Sequence, residues 1–165
     1  TRRVLGAQII GEGVVDKPID TLVTLISLKG TVDDLATLDL AYAPPFSSAM
    51  SPVITAADVL LNKLGGRLDG ISAAALRARI NDPRTFLLDV RTEAEFMARS
   101  IPGSVNIPLN EIESRSNEIP RDREAIIICR VGRRAYSAYL KLRDLGFTGM
   151  KILDGGMLAY PYETA

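Results

Sequence analysis

Short apolar runs punctuate the second half of the chain. Thr85-Phe86-Leu87-Leu88-Asp89-Val90, Glu124-Ala125-Ile126-Ile127-Ile128-Cys129 and Met150-Lys151-Ile152-Leu153 are too continuous for strands with one wet face, and they predict buried parallel strands. Between them, apolar positions recur with helical spacing over 72–80, 92–98, 110–119 and 134–145. Thr92 and Glu95 have the spacing of a capping box, and Gly146 stops the last helix. Alternation of strand and helix predicts an α/β domain, a doubly wound parallel sheet with helices on both faces and right-handed crossovers.

The first third follows another rhythm. Residues 3–11 are apolar, partly β-branched and bounded by glycines, which predicts a strand. A helix is expected over 18–29, with Pro18 in its first turn, Ile19, Leu22, Val23 and Ile26 on one face, and Gly30 as its stop. Thr31 and Asp34 form the signature of a second capping box, opening a helix that runs to near Tyr42. Pro44 and Pro45 exclude a helix over 43–48. Thr55, with Asp58 three residues on, is expected to cap a third helix that ends at Leu64. Gly65-Gly66 is the linker candidate, so the domains are expected at 1–64 and 65–165. One strand and three helices bury only part of a core, so 1–64 reads as a small, incomplete α+β segment. We expect it to form a homodimer or to pack on the following domain.

Composition narrows the chemistry. Twenty basic and twenty acidic residues cancel, leaving no global field to attract nucleic acid or an anionic membrane. No apolar run approaches the ~20 residues of a membrane span, and Thr1-Arg2-Arg3 has no secretory pattern. These features predict a soluble, cytoplasmic protein. Beginning at Thr rather than Met, the chain is expected to be a piece of a longer one. One cysteine and no histidine leave no internal disulfide, no cysteine-rich metal site and no catalytic histidine.

The remaining nucleophile is well placed. Cys129 ends a buried strand and is followed by Arg130-Val131-Gly132-Arg133-Arg134 and a helix. Open α/β sheets bind ligands at the carboxyl ends of their strands. A loop wrapping back toward a helix N-terminus turns its amides inward as an anion cradle, and Gly132 permits the tight turn. Amides, helix end and three arginines form the setting that lowers a thiol pKa from ~8.5 into the range ~3.5–7.5, so Cys129 is expected as a thiolate. A cysteine closing an apolar strand is more often a small core residue. Three neighbouring cations, which repel one another unless an anion is bound, argue against that here.

The hexapeptide Cys129-Arg130-Val131-Gly132-Arg133-Arg134 resembles the active-site loop of single-domain rhodaneses. The resemblance extends over about 100 residues, through Leu87-Leu88-Asp89-Val90-Arg91 with Glu95-Phe96, then Ile101-Pro102-Gly103-Ser104-Val105-Asn106-Ile107-Pro108, then Leu153-Asp154-Gly155-Gly156. Arg99-Ser100 stands where the family usually has Gly-His, and Met157 where a tryptophan commonly follows. The resemblance implies a sulfurtransferase in which Cys129 takes sulfane sulfur from a donor, becomes a persulfide held by the loop amides, and passes the sulfur to a thiol acceptor. It casts Arg134 as a support of the loop, Arg130 and Arg133 as attractors of anions, and Asp89 with Arg91 as an ion pair that holds the loop. Two alternatives remain: a non-catalytic sulfur-binding or interaction module, and cysteine phosphatase or arsenate reductase chemistry, whose loops place five residues rather than four between Cys and Arg.

Val4-Leu5-Gly6-Ala7-Gln8-Ile9-Ile10-Gly11 and Asp39-Leu40-Ala41-Tyr42-Ala43-Pro44-Pro45-Phe46-Ser47-Ser48-Ala49 resemble the carboxyl-terminal dimerisation domain of flavin-dependent pyridine nucleotide-disulfide oxidoreductases. The coenzyme A disulfide and persulfide reductases that end in a rhodanese domain are the most similar of these. FAD, NAD(P)H and coenzyme A are thereby implied for a parent protein, with Tyr42, Ser47 and Ser48 near its coenzyme A and flavin site. With no Gly-x-Gly-x-x-Gly fingerprint, the chain itself is expected to bind neither FAD nor NAD.

Overall fold

The computed structural model describes residues 1–44, 46–47 and 49–165. Its chain forms two compact units, Thr1–Arg67 and Leu68–Ala165.

In the first unit, α1 (Asp16–Ser27), α2 (Val32–Ala36) and α3 (Pro52–Leu64) gather one small core from Leu22, Leu25, Val32, Leu35, Val53 and Ala57. The Thr31 hydroxyl accepts from the Asp34 amide at 3.1 Å while the Asp34 carboxylate accepts from the Thr31 amide at 2.8 Å, so the expected capping box starts α2. Several expectations fail here. Residues 3–11 form no strand: Arg3 makes an isolated bridge to Thr31, and Leu5 and Ile10 are exposed. A ladder needs a partner strand, and the described residues of this unit contain none. The buried face of α1 centres on Leu22 and Leu25, while Val23 is exposed. Gly30 ends that turn for packing reasons, since a Cβ there would run into the Leu25 side chain, and Lys29 takes the left-handed conformation with φ 60°. Helix α2 stops at Ala36 rather than near Tyr42. Helix α3 begins at Pro52, whose fixed φ suits a first helical position; Thr55 lies inside it and its hydroxyl donates to the Ser51 carbonyl at 3.3 Å.

The second unit is built on β1 (Gly70–Ile71), β2 (Thr85–Asp89), β3 (Val105–Asn106), β4 (Glu124–Ile128) and β5 (Met150–Leu153). These strands form a parallel sheet in the order β1-β5-β4-β2-β3. Helices α4 (Ala73–Arg77), α5 (Glu93–Ala98) and α6 (Arg133–Asp144) lie between strands in the sequence. The apolar runs read as they do because alternate residues enter different cores. Leu88, Ile127 and Ile152 join one side with Ala135, Ala138 and Leu142 of α6. Leu87, Ile126, Ile128 and Leu153 join the other with Leu76 of α4. Both faces are therefore dry, as parallel sheets require. Residues 110–119 are turns closed by a 3-10 helix, Ser116–Glu118, not the expected α-helix. The hydroxyls of Ser114 and Ser116 donate to the carbonyls of Glu111 and Glu113, offering the backbone an alternative to a helical ladder. No helix among the described residues is long and apolar enough to cross a membrane.

Candidate active site

The register of the sheet fixes the position of the thiol. β4 lies between β2 and β5, and Cys129 is the first residue beyond its carboxyl end. The Val90 amide, just past β2, donates to the Ile128 carbonyl at 2.9 Å, so the ends of the two strands are tied side by side. Cys129 is 2% exposed, but its sulfur is not sealed among apolar groups alone. The chain turns back through Gly132, at φ 119°, and the Gly132 amide donates to Cys129 Sγ at 3.0 Å. Gly132 is also the N-cap of α6. The amides of the first helical turn, beginning with Arg133, have no intrahelical acceptor, and the helix end adds about half a positive charge.

The three arginines of the loop have different fates. Arg134 grips Glu95 with both terminal nitrogens, at 2.6 and 2.7 Å. That guanidinium, aided by hydrogen bonds from Thr92, holds the Glu95 carboxyl down at about 2. Glu95 therefore serves twice, as the capping-box acid of α5 and as the anchor of the α6 start. Arg130 and Arg133 are exposed and have no ion-pair partner among the described residues. Between them Val131 is 53% exposed. The rim of the thiol is thus two uncompensated cations flanking an apolar side chain.

Asp89 and Arg91 form a buried pair, with Nη2 to Oδ2 at 2.6 Å and Nε to Oδ1 at 2.9 Å. Burial of both is tolerated because the remaining polar atoms are met: Arg91 also donates to the carbonyls of Glu95 at 3.1 Å and Arg99 at 2.7 Å. Its bonds thus run to the α5 segment rather than directly to the 129–134 loop. Asn106, which sequence reasoning left inside a motif without a role, donates to the carbonyls of Asp89 at 2.9 Å and Arg91 at 3.0 Å. In the sequence Glu95 shows only as a capping-box acid within a motif; its tie to Arg134 is invisible there because the partner lies 39 residues along the chain.

Gly156 explains the last glycine pair. It sits at φ 59° with its α-carbon against the loop, and a Cβ would run into the carbonyl oxygens of Cys129 and Arg130. From this approach the Met157 amide donates to the Cys129 carbonyl at 2.9 Å and the Leu158 amide to the Arg130 carbonyl at 3.0 Å.

Tyr42 and Ser47 belong to the first unit. Tyr42 is exposed, and the Ser47 hydroxyl accepts from the Ala43 amide at 2.8 Å within its own turn. Ser48 lies outside the described residues. Among the described residues no group of three or more Cys, Asp or Glu side chains is placed to hold a metal ion.

Comparison with known proteins places this geometry. The family model described as "Rhodanese-like domain" matches residues 72–161. A sulfurtransferase of Allochromatium vinosum is 37% identical over 91 residues, which cover 54% of this chain and 85% of that protein. Two solved structures extend the likeness into the first unit. Reduced CoADR-RHD of Bacillus anthracis has a TM-score of 0.83 at 36% identity, covering 88% of this chain and 26% of that one. A NAD-dependent persulfide reductase from A. fulgidus has a TM-score of 0.78 at 42% identity, covering 92% and 26%. This chain therefore spans about a quarter of each of these two proteins.

Proposed function

Because this chain belongs to the rhodanese-like domain family, a family of sulfurtransferases, we propose that Cys129 carries sulfane sulfur as a persulfide. The thiolate of Cys129 attacks the outer sulfur of a donor such as thiosulfate. A sulfur–sulfur bond forms to Cys129, the donor's own sulfur–sulfur bond breaks, and sulfite leaves with the electron pair. An acceptor thiolate then attacks the terminal sulfur and leaves as a persulfide, returning the Cys129 thiolate. No external oxidant or reductant is consumed. The observation that carries this reading is the Gly132 amide, already directed at Sγ at 3.0 Å. That donor is preorganised and needs no rearrangement when negative charge arrives. Arg130 and Arg133 draw anionic donors to the rim, and Arg134 holds the loop on Glu95.

Thiosulfate treatment followed by intact mass measurement tests this directly. The protein is expected to gain one sulfur atom, and Cys129→Ser none. A wild-type chain that gains nothing from thiosulfate or an organic persulfide defeats the proposal. Burial of Sγ supports a second reading, a sulfur-holding module without turnover. Sulfur loading with no turnover of thiosulfate and cyanide would favour it.

We place FAD, NAD(P)H and coenzyme A in a longer parent reductase rather than in this chain. Tyr42 is exposed, which supports a contribution from Tyr42, Ser47 and Ser48 to that parent's coenzyme A and flavin site rather than a complete site here. A homodimer through 1–64 and a cytoplasmic setting, where thiols stay reduced, complete the proposal; it calls for no nucleic acid and no membrane.

A further inference from the structure

Two loops must hold still for the thiol to be addressed by its amide, the Cys129–Arg134 turn and the stretch from Arg91 to Ser100. One ion pair, Glu95 with Arg134, joins them directly. The structure adds a second connection. The last ten residues run from one loop to the other and hydrogen bond to both. At its start the segment 156–165 caps the carbonyls of Cys129 and Arg130 with the amides of Met157 and Leu158. At its end Ala165 and Ser100 exchange amide-to-carbonyl bonds at 2.8 and 2.9 Å. Arg99 closes the connection: Nη2 donates to the Tyr160 carbonyl at 3.1 Å and Nε to the Thr164 hydroxyl at 3.2 Å. The Arg99 carbonyl in turn accepts from Arg91, the buried partner of Asp89. Tyr160 anchors the middle, 2% exposed and edge-on to Tyr162 with ring centroids 5.3 Å apart.

From this closed circuit we infer that segment 156–165 is a strap that positions the Cys129 loop, and that Arg99 is the positioning residue through which it acts. The inference rests on the sulfurtransfer reading for its catalytic readout only. A strap of this kind acts on the chemical step rather than on donor binding, because Arg99 reaches the thiol through hydrogen-bonded backbone and touches no part of a donor at the Arg130 and Arg133 rim. It is also local, since Arg99 lies outside the two apolar cores of the sheet.

The test compares Arg99→Ala, Arg99→Lys and Thr164→Val with the full chain. For Arg99→Ala, kcat for thiosulfate is expected to fall about 10- to 100-fold, the scale of a displaced reacting group, with KM within twofold of the parent. Cys129 is the sole cysteine, so alkylation by uncharged iodoacetamide reports access to Sγ alone. Its rate in Arg99→Ala should rise more than about threefold as local opening becomes easier. Arg99→Lys, able to reach one acceptor of the two, should recover part of both. Circular dichroism at the assay temperature identifies any variant that has unfolded; should Arg99→Ala be one, Thr164→Val must show the same signs at smaller size. The strap is overturned if kcat and alkylation both stay within twofold of the parent in the folded variant, or if KM rises while kcat holds, which would make Arg99 a binding group. A parent chain that gains no sulfur defeats the functional reading, and the alkylation arm still decides the strap.

Discussion

The two units use their apolar residues in opposite ways. The Leu68–Ala165 unit buries 24 apolar residues in two clusters, one on each face of its sheet, and leaves five large ones exposed among the described residues. Among its described residues the Thr1–Arg67 unit buries six and exposes eleven, Leu5, Ile10, Leu28 and Phe46 among them. A parallel sheet closes its own hydrogen bonds and offers two faces to helices, so apolar runs find cover within 98 residues. Three short helices around one cluster cannot cover the same proportion of side chains. A loop that holds an amide on a sulfur needs a rigid frame, and the unit that carries the Cys129 loop is the one with a complete interior. The proposed site and the more complete core coincide here for a mechanical reason.

The sharpest way to break this comparison is to remove the same kind of side chain from each unit. Ile127→Ala, in the fully buried centre of β4, is expected to destabilise by roughly 4 kcal/mol, toward the top of the range for a core that cannot collapse. Leu25→Ala in the looser cluster should lose about 2 to 3 kcal/mol. Urea unfolding followed by tyrosine fluorescence reports the second unit, which holds four of the five tyrosines, and amide exchange reports the first. Equal losses would show that the first unit is as well packed as the second.

Next in size is Gly132→Ala. A Cβ there meets nothing within 4 Å, but the backbone stands at φ 119°. The substitution is expected to lower stability by about 1 to 2 kcal/mol through that conformation alone. Relaxing the turn moves the amide away from Sγ, and sulfur loading should slow by on the order of a hundredfold, the scale for losing one preorganised donor. Loading that slows no more than stability warrants would separate the loop geometry from the chemistry.

Legibility in the sequence followed the same division. β2, β4 and β5 could be read because a strand buried on both faces writes itself as an unbroken apolar run. β1 and β3, two residues each, could not: Gly70 and Val105 are strand residues only because Ile152 and Leu88 lie beside them. Residues 3–11 have the composition of a strand and lack a neighbour, and composition cannot supply one. The loop from Cys129 to Arg134 was legible because its parts are contiguous. Its supports were not, since Glu95 is 39 residues from Arg134 and Tyr160 is 61 from Arg99, and sequence spacing carries no sign of either meeting.

Acid should act on the joint between α5 and α6. Glu95 is held at about 2 by Arg134, below its usual 4.5. A carboxyl whose folded value is depressed contributes stability that is complete above about 4.5 and lost as pH falls from there toward 2. Glu95→Gln should therefore be less stable than the parent at neutral pH, and the gap should close across that window. The pair is about a third exposed, so the neutral-pH gap is expected to stay below about 1 kcal/mol. Thermal melts at a series of pH values check the sign, and a gap that widens on acidification would contradict it.

The smallest effect on folding is expected where the first unit is apolar yet uncovered. Leu28, 77% exposed beyond the end of α1, can be changed to Lys with a stability change within about 0.5 kcal/mol, because nothing it buries is lost. Any larger effect of the change is expected on association rather than on folding. If 1–64 pairs two copies through its uncovered apolar residues, then placing cations at Leu28 and Phe46 desolvates charge against a partner. Sedimentation should then show weaker association at unchanged melting temperature. Association that survives both substitutions would mean that the exposed side chains of the first unit are not what joins it to a second copy. A fall in melting temperature instead would mean that they were never free of the core, and the contrast between the two units would narrow to one of size.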